Sequence, residues 1–238
     1  MKAYAITDKG LVRPLNEDYY YLPSKGESFT LLADGMGGHA AGEVASMIAV
    51  SACAEMLRKT KTPSREKLSA AFSEANRRIY DAALTKPQQR GMGTTLVALC
   101  ILEKQAALAH VGDSRAYRLR NASLTQMTTD HSYVEELVKS GIITREQART
   151  HPKRNIITRC VGTQAEIEAD IVITDLEGDD LWLLCSDGLT GFVADEAIEA
   201  VLISSLSPME KLKALRDAAL SNGGSDNITA VLVSGGNA

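Results

Sequence analysis

Residues 94–119 read TTLVALCILEKQAALAHVGDSRAYRL, and this stretch decides the fold. It holds three apolar runs, 94–102, 105–111 and 115–119, joined by Glu103-Lys104 and by Gly112-Asp113-Ser114. Short apolar runs bounded by turn residues are buried strands. Connections this short join antiparallel neighbours, because a parallel pair needs a crossover of roughly a dozen residues or more. The stretch is therefore a three-strand meander.

Outward from the meander the same reading places strands at 2–6, 18–22 and 29–34 before it. Residues 124–128 add an edge strand, and 167–174, 181–186 and 227–234 supply the rest. A helix opens at Gly42-Glu43 and runs to about Arg58, with Val44, Ile48 and Ser51 at helical spacing and Met47 beside them. A second helix takes Thr62 as its cap and Pro63 at its first position, both favoured there. Its stripe is Leu68, Phe72, Ala75, Ile79 and Ala82, and Pro87 ends it. Two more helices follow at about 195–203 and 208–222, the last begun by Pro208 and stopped by Gly223-Gly224. Helices in pairs suit a layer on each outer face of two stacked sheets. The expected fold is α+β: a central antiparallel β-sandwich flanked by helix pairs on both faces.

Residues 130–163 break this regularity. They hold His131, His151, Pro152, Lys153 and Arg154 and two short helical patterns, 133–140 and 144–150. They read as a flap-like insertion. No repeat, low-complexity tract or linker divides the chain, so 1–238 is expected to be one domain.

Carboxylates sit beside glycine at the ends of the apolar runs. Leu31-Leu32-Ala33 runs into Asp34-Gly35, and Ala109-His110-Val111 into Gly112-Asp113. Leu181 to Cys185 runs into Ser186-Asp187-Gly188, and Ser225-Asp226-Asn227 opens onto Ile228 to Val233. Arg13-Pro14-Leu15-Asn16-Glu17-Asp18 adds two adjacent acids. Singly, each is an ordinary turn or cap. Six acids in such positions form an oxygen-lined pocket if the strand ends converge. Anions packed so closely repel unless cations sit among them. Oxygen-only ligation suits Mg2+ or Mn2+. Gly35 lets the backbone approach a ligand, so its carbonyl is a further candidate. His39, in the loop beside Asp34, is a candidate proton donor. The four histidines are too scattered for a metal cage, and His110, inside an apolar strand, reads as structural.

Several chemistries are absent. No cysteine is followed six residues later by arginine, and no D-x-D-x-T, G-N-H or G-x-S-x-G run exists. Covalent catalysis is disfavoured, which leaves metal-activated water. A net charge of −4 and a pI near 5.6 argue against a nucleic-acid partner. Cys53, Cys100, Cys160 and Cys185 form no C-x-x-C pair and read as buried reduced thiols. The N-terminus lacks a signal-peptide core, and no apolar stretch reaches a membrane span. A cytoplasmic protein without a membrane partner is expected.

The ordered set R-x-x-N-E-D (13–18), D-G-M-G-G-H (34–39), G-M-G-T-T (91–95), G-D-S-R (112–115), S-D-G-L (186–189) and D-N-I-T (226–229) resembles the type 2C metal-dependent serine/threonine protein phosphatases, the bacterial single-domain group in particular. Asp130-His131-Ser132 and residues 151–159 resemble the flap of those members. The resemblance implies hydrolysis of phosphoserine and phosphothreonine by direct attack of a hydroxide bridging two divalent ions, Mn2+ or Mg2+, without a phosphoenzyme. It implies that Asp34 bridges the ions, that Asp187 and Asp226 complete one site, and that the Gly35 carbonyl serves the other. Glu17 and Asp18 bind directly or through water. Asp113, with Asp187, holds a third, weaker ion. Arg13 grips the substrate phosphate. In the eukaryotic branch a histidine follows Asp-Gly at once; here Met36 stands there and His39 comes three later. The implied partners are phosphorylated proteins, a serine/threonine kinase and its substrates, met by a monomer. Two rival classes are a phosphoprotein-binding regulator without turnover and another metal-dependent hydrolase, such as a nuclease or small-molecule phosphatase.

Overall fold

The computed structural model describes residues 1–37, 41–59 and 64–234. Its strands are β1 (Lys2–Asp8), β2 (Asp18–Tyr21), β3 (Phe29–Met36), β4 (Gly93–Thr94), β5 (Leu96–Ile101), β6 (Gln105–Val111), β7 (Arg115–Arg120), β8 (Ser123–Gln126), β9 (Asp170–Asp175), β10 (Leu181–Cys185) and β11 (Ile228–Ser234). Its helices are α1 (Ala41–Arg58), α2 (Arg65–Thr85), α3 (Tyr133–Lys139), α4 (Arg145–Thr150), α5 (Asp187–Thr190), α6 (Asp195–Ile203) and α7 (Pro208–Ser221). One sheet has the order β1-β11-β10-β7-β8; the other has β2-β3-β5-β6-β9, with β4 pairing β3. Every strand pair is antiparallel.

The two sheets stack, and helices cover both outer faces. Strand periodicity explains why the central runs are apolar throughout. Along β5, Leu96, Ala98 and Cys100 face the α1–α2 layer, while Val97, Leu99 and Ile101 face the other sheet. Along β10, Leu183 and Cys185 face the α5–α7 layer and Trp182 and Leu184 face inward. A strand covered on both sides shows no polar alternation. The meander is β5-β6-β7, but its third strand crosses to the other sheet, because β6 pairs with β9 and β7 with β10.

The α2 stripe is as expected, with Leu68, Phe72, Ala75 and Ile79 buried. Its cap differs: Thr62 and Pro63 lie outside the described residues, and Ser64 accepts from the Lys67 N–H. The α1 stripe is corrected. Its buried face is Ala45, Ala49, Ala52 and Cys53; Val44 and Ile48 are half-buried, and Ser51 and Met47 are exposed. Small residues let this helix sit close to β3, and the larger apolar side chains flank the contact. In α7, Ser207 and Glu210 form a capping box, and Gly223 and Gly224 close the end at positive φ. No helix among the described residues is long and apolar enough to cross a membrane.

Candidate metal centre

Strand register brings the acids to one end of the sandwich. Asp18, first in β2, lies opposite Asp34 near the end of β3. Asp113 sits in the β6–β7 turn, beyond the Leu96–Val111 pair. Asp187 follows Cys185, which is opposite both Arg115 and Ala230. Asp226 precedes Ile228, which is opposite Asp8. The motifs from both sheets therefore converge as expected. Asp18 and Asp113 are buried; Glu17, Asp34, Asp187 and Asp226 are half-buried.

Two glycines make the close packing feasible. A Cβ on Gly35 would stand 2.1 Å from the Gly42 carbonyl oxygen and 2.6 Å from that of Glu17. A Cβ on Gly42 would stand 2.5 Å from Glu17 Oε1. The α1 N-terminus thus presses against the end of β3, with the Glu17 carboxylate packed against Gly42, whose backbone holds the Glu17 carboxyl down. An anion there is favoured by the helix dipole.

The acids are electrostatically frustrated. Burial, then the neighbouring Asp187 and Asp226, push the Asp18 carboxyl up to about 7, against the hydroxyls of Thr229 and Ser186. Burial and then Asp226 push Asp187 up to about 6. Asp34 is raised well above the carboxylate range by burial and then by Asp18, Asp187 and Asp113; Asp113 is raised by burial and then by Asp187. Burial raises Glu17 despite Arg13. Asp18 Oδ1 and Asp113 Oδ1 are buried without a hydrogen-bond partner among the described residues. Orphaned anionic oxygens in an all-oxygen donor set fit hard divalent cations. Arg13 Nη2 donates to Asp226 Oδ2 at 2.8 Å and is the one cation bonded to the nest among the described residues. His39 lies outside the described residues.

The apolar-run reading singled out the acids but not the polar residues that hold them. Asn227 Oδ1 accepts from the Glu17 N–H at 2.8 Å, while its Nδ2 donates to the carbonyls of Lys9 and Leu15 at 2.9 Å. It clamps the loop carrying Arg13 and Glu17 to the start of β11. Ser186 Oγ donates to Asp18 Oδ2 at 2.8 Å and accepts from the Thr229 N–H at 3.0 Å. Thr95 Oγ1 accepts from the Asp34 N–H at 2.9 Å, and Thr94 Oγ1 donates to the Asp34 carbonyl at 2.7 Å. Their signal is adjacency to the motif acids. Asn227→Ala leaves three backbone groups unpaired at up to ~1–3 kcal/mol each. We expect a destabilisation of about 2–3 kcal/mol and a Tm lowered by ~5–10 °C in calorimetry. An unchanged Tm would refute the clamp.

A second cluster lies beyond the Gly112 turn. His110 and His131 stack at 4.8 Å between centroids, and their nitrogens lie near Asp170. The histidines are less scattered than expected, since β6 and the segment after β8 converge here. His131 Nδ1 accepts from the Gly112 N–H at 3.0 Å, so in the neutral ring Nε2 carries the proton, 3.4 Å from Asp170 Oδ2. In that tautomer Nε2 has no lone pair for a metal, and it makes no hydrogen bond among the described residues. Burial, and then the neighbouring His131, hold His110 down at about 4, so its ring is neutral.

An all-oxygen acid nest at the end of a four-layer sandwich is the architecture of a metal-dependent hydrolase. The chain belongs to the protein phosphatase 2C family, whose model matches residues 14–222. The serine/threonine phosphatase stp of Listeria welshimeri is 39% identical over 98% of this chain and 95% of that protein. The crystal structure of the Mycobacterium tuberculosis serine/threonine phosphatase PstP/Ppp superposes with a TM-score of 0.93 at 40% identity, covering 99% of each chain. The PstP catalytic domain in complex with two manganese ions matches at a TM-score of 0.88 and 39% identity, covering 98% of this chain and 97% of that one.

Proposed function

We propose that the protein removes phosphate from phosphoserine and phosphothreonine in other proteins, as a metal-dependent phosphatase using Mn2+ or Mg2+. The observation that carries this reading is the nest itself, with buried anionic oxygens that repel one another and lack partners. Asp34, Asp187 and Asp226 would hold one ion, and Asp34 with the Gly35 carbonyl a second. Glu17 and Asp18 would bind directly or through water, and Asp113 with Asp187 would take a third. When bound, such ions supply a water of lowered pKa and neutralise charge on a phosphoryl group.

The chain's own residues do the rest. Ser186, Thr94, Thr95 and Asn227 keep the acids on rigid strand ends, so little reorganisation accompanies binding. Arg13, half-exposed and paired with Asp226, can swing to the substrate phosphate once the Asp226 charge is taken up. His39 is the candidate proton donor to the leaving oxygen. Residues 130–163, carrying α3 and α4, act as a flap in a single catalytic domain spanning 1–238. The protein acts as a monomer in the cytoplasm and reverses a serine/threonine kinase. Its acidic balance disfavours nucleic acid as substrate.

The test is phosphate release from a phosphothreonine peptide with added Mn2+, repeated in EDTA. Release that needs the metal is expected. No release with either Mn2+ or Mg2+ would defeat the enzyme reading.

A further inference from the structure

We propose that the cleft between the 130–163 segment and the acid nest binds an anionic residue that flanks the phosphorylated serine or threonine of the substrate. The inference rests on the phosphatase reading above and adds a substrate class to it. Asp113 and Asp187 line this cleft together with Arg115, Arg145, Arg149 and Arg154. The catalytic acids and the arginines therefore share one continuous space.

Charge pairing decides what that space attracts. Arg115 is taken up by Asp130, with contacts of 2.7 to 3.0 Å. Arg145 meets Glu135 at 3.2 Å. Arg149 and Arg154 are exposed and make no ion pair among the described residues. The acids of the nest are those assigned to divalent ions. Asp195, the remaining acid of the lining, lies 3.9 Å from Arg115 and accepts from the Tyr117 hydroxyl. Once the nest charges are met, the four arginines of the lining face three acids, Asp130, Glu135 and Asp195, and one positive charge remains in surplus, on the side of the unpaired Arg149 and Arg154. A guanidinium offers a planar fork of donors that fits a carboxylate or a phosphate.

The arginine wall is also held in place. Thr144 and Gln147 form a capping box that sets α4, and residues four apart, such as Arg145 and Arg149, share a helix face. The Arg154 N–H donates to the His151 carbonyl at 3.0 Å. The Thr158 N–H donates to the His131 carbonyl at 2.8 Å, and the His131 N–H to the Gly112 carbonyl at 3.0 Å. The segment carrying the arginines is thus tied to the turn that carries Asp113.

The test uses the full chain with Mn2+ and four phosphothreonine peptides that differ at the flanking positions: alanine, glutamate, a second phosphothreonine or lysine. Each kcat/KM is divided by that of the alanine peptide. We expect a ratio of about ten for glutamate, for the second phosphate or for both, the effect of one strong charge-assisted contact. Which arm rises tells carboxylate from phosphate. In the Arg149→Ala/Arg154→Ala variant the ratio falls to about one, through KM, and a ratio within one enzyme is insensitive to the fraction folded. Ratios of one across all peptides in the parent, or ratios kept in the variant, overturn the subsite while leaving the phosphatase reading intact. No phosphate release from any peptide overturns both.

Discussion

Asp34→Asn and Asp187→Ala each lower kcat for a phosphothreonine peptide by about a thousandfold or more, while both variants stay folded. Asp34 lies opposite Asp18 across the β2–β3 ladder and is raised well above the carboxylate range by burial and its acid neighbours. Its value to the protein is therefore as a charge for cations to meet. An asparagine keeps the shape and the backbone contacts of Thr94 and Thr95, which are made to main-chain atoms of residue 34. Charge stabilisation by bound ions is worth several kcal/mol, and each ~1.4 kcal/mol is tenfold in rate. The same substitutions relieve repulsion in the metal-free state. Both variants should melt at or above the parent temperature in EDTA at pH 8, as read by calorimetry. Parental turnover in both variants would sink the proposed roles; a collapse of Tm would mean that the acids are structural.

The combination of lost activity with kept or raised stability marks a site held against its own electrostatics. Like charges directly opposite in a sheet destabilise it. The protein offsets this through three apolar clusters, one between the sheets and one under each helix layer. It also bonds the main chain around the acids far more fully than their side chains. Within the nest, the Oδ1 atoms of Asp18 and Asp113 are buried without a partner among the described residues.

Most of this was legible in the sequence, for identifiable reasons. Strands covered on both faces read as unbroken apolar runs, so β5, β6, β10 and β11 stood out. The α2 stripe was legible because large side chains fill its buried face. The α1 stripe was not, because alanine and glycine carry little hydrophobic signal yet permit the closest packing. The four-residue α5 was missed, since one turn leaves no periodicity to read. That β7 leaves the sheet of β6 and pairs with β10 in the other sheet is a tertiary fact that a hairpin-length connection conceals. At the site the acids announced themselves by standing beside glycine at strand ends. Asn227, Ser186 and Thr95 stand in the same motifs, but their clamping roles did not show, because a buried polar side chain is recognised by its partners, and partners 43 to 218 residues away are invisible along the chain.

The thermal stability of the metal-free protein should fall as pH rises from about 5 to 8, and Mn2+ should reverse that fall. The sign follows from the direction of the shifts. In the folded chain Asp18 titrates at about 7 and Asp187 at about 6, both above the usual carboxylate value, and Asp34 and Asp113 are raised too. A group raised on folding contributes stability that is present below its unfolded value, near 4, and lost as pH climbs through the folded one. The window is therefore about pH 4 to 7 and above. Buried His110, held at about 4, works the other way and withdraws stability as pH falls below its ordinary 6.5. His131, also lowered, adds to that opposing slope. Both histidines titrate alike with and without the ion, so the quantity to measure is the Tm with Mn2+ minus the Tm in EDTA at each pH. Ions bind the ionised nest, so the difference should be small at pH 5 and large at pH 8. At a hundred times its dissociation constant an ion adds about 2.7 kcal/mol. For a chain of this size that is a rise of about 5–10 °C. A difference independent of pH would mean that Mn2+ binds elsewhere than at these carboxylates. Asp34→Asn should flatten the difference curve, because it removes an acid that the ions meet and that repels its neighbours.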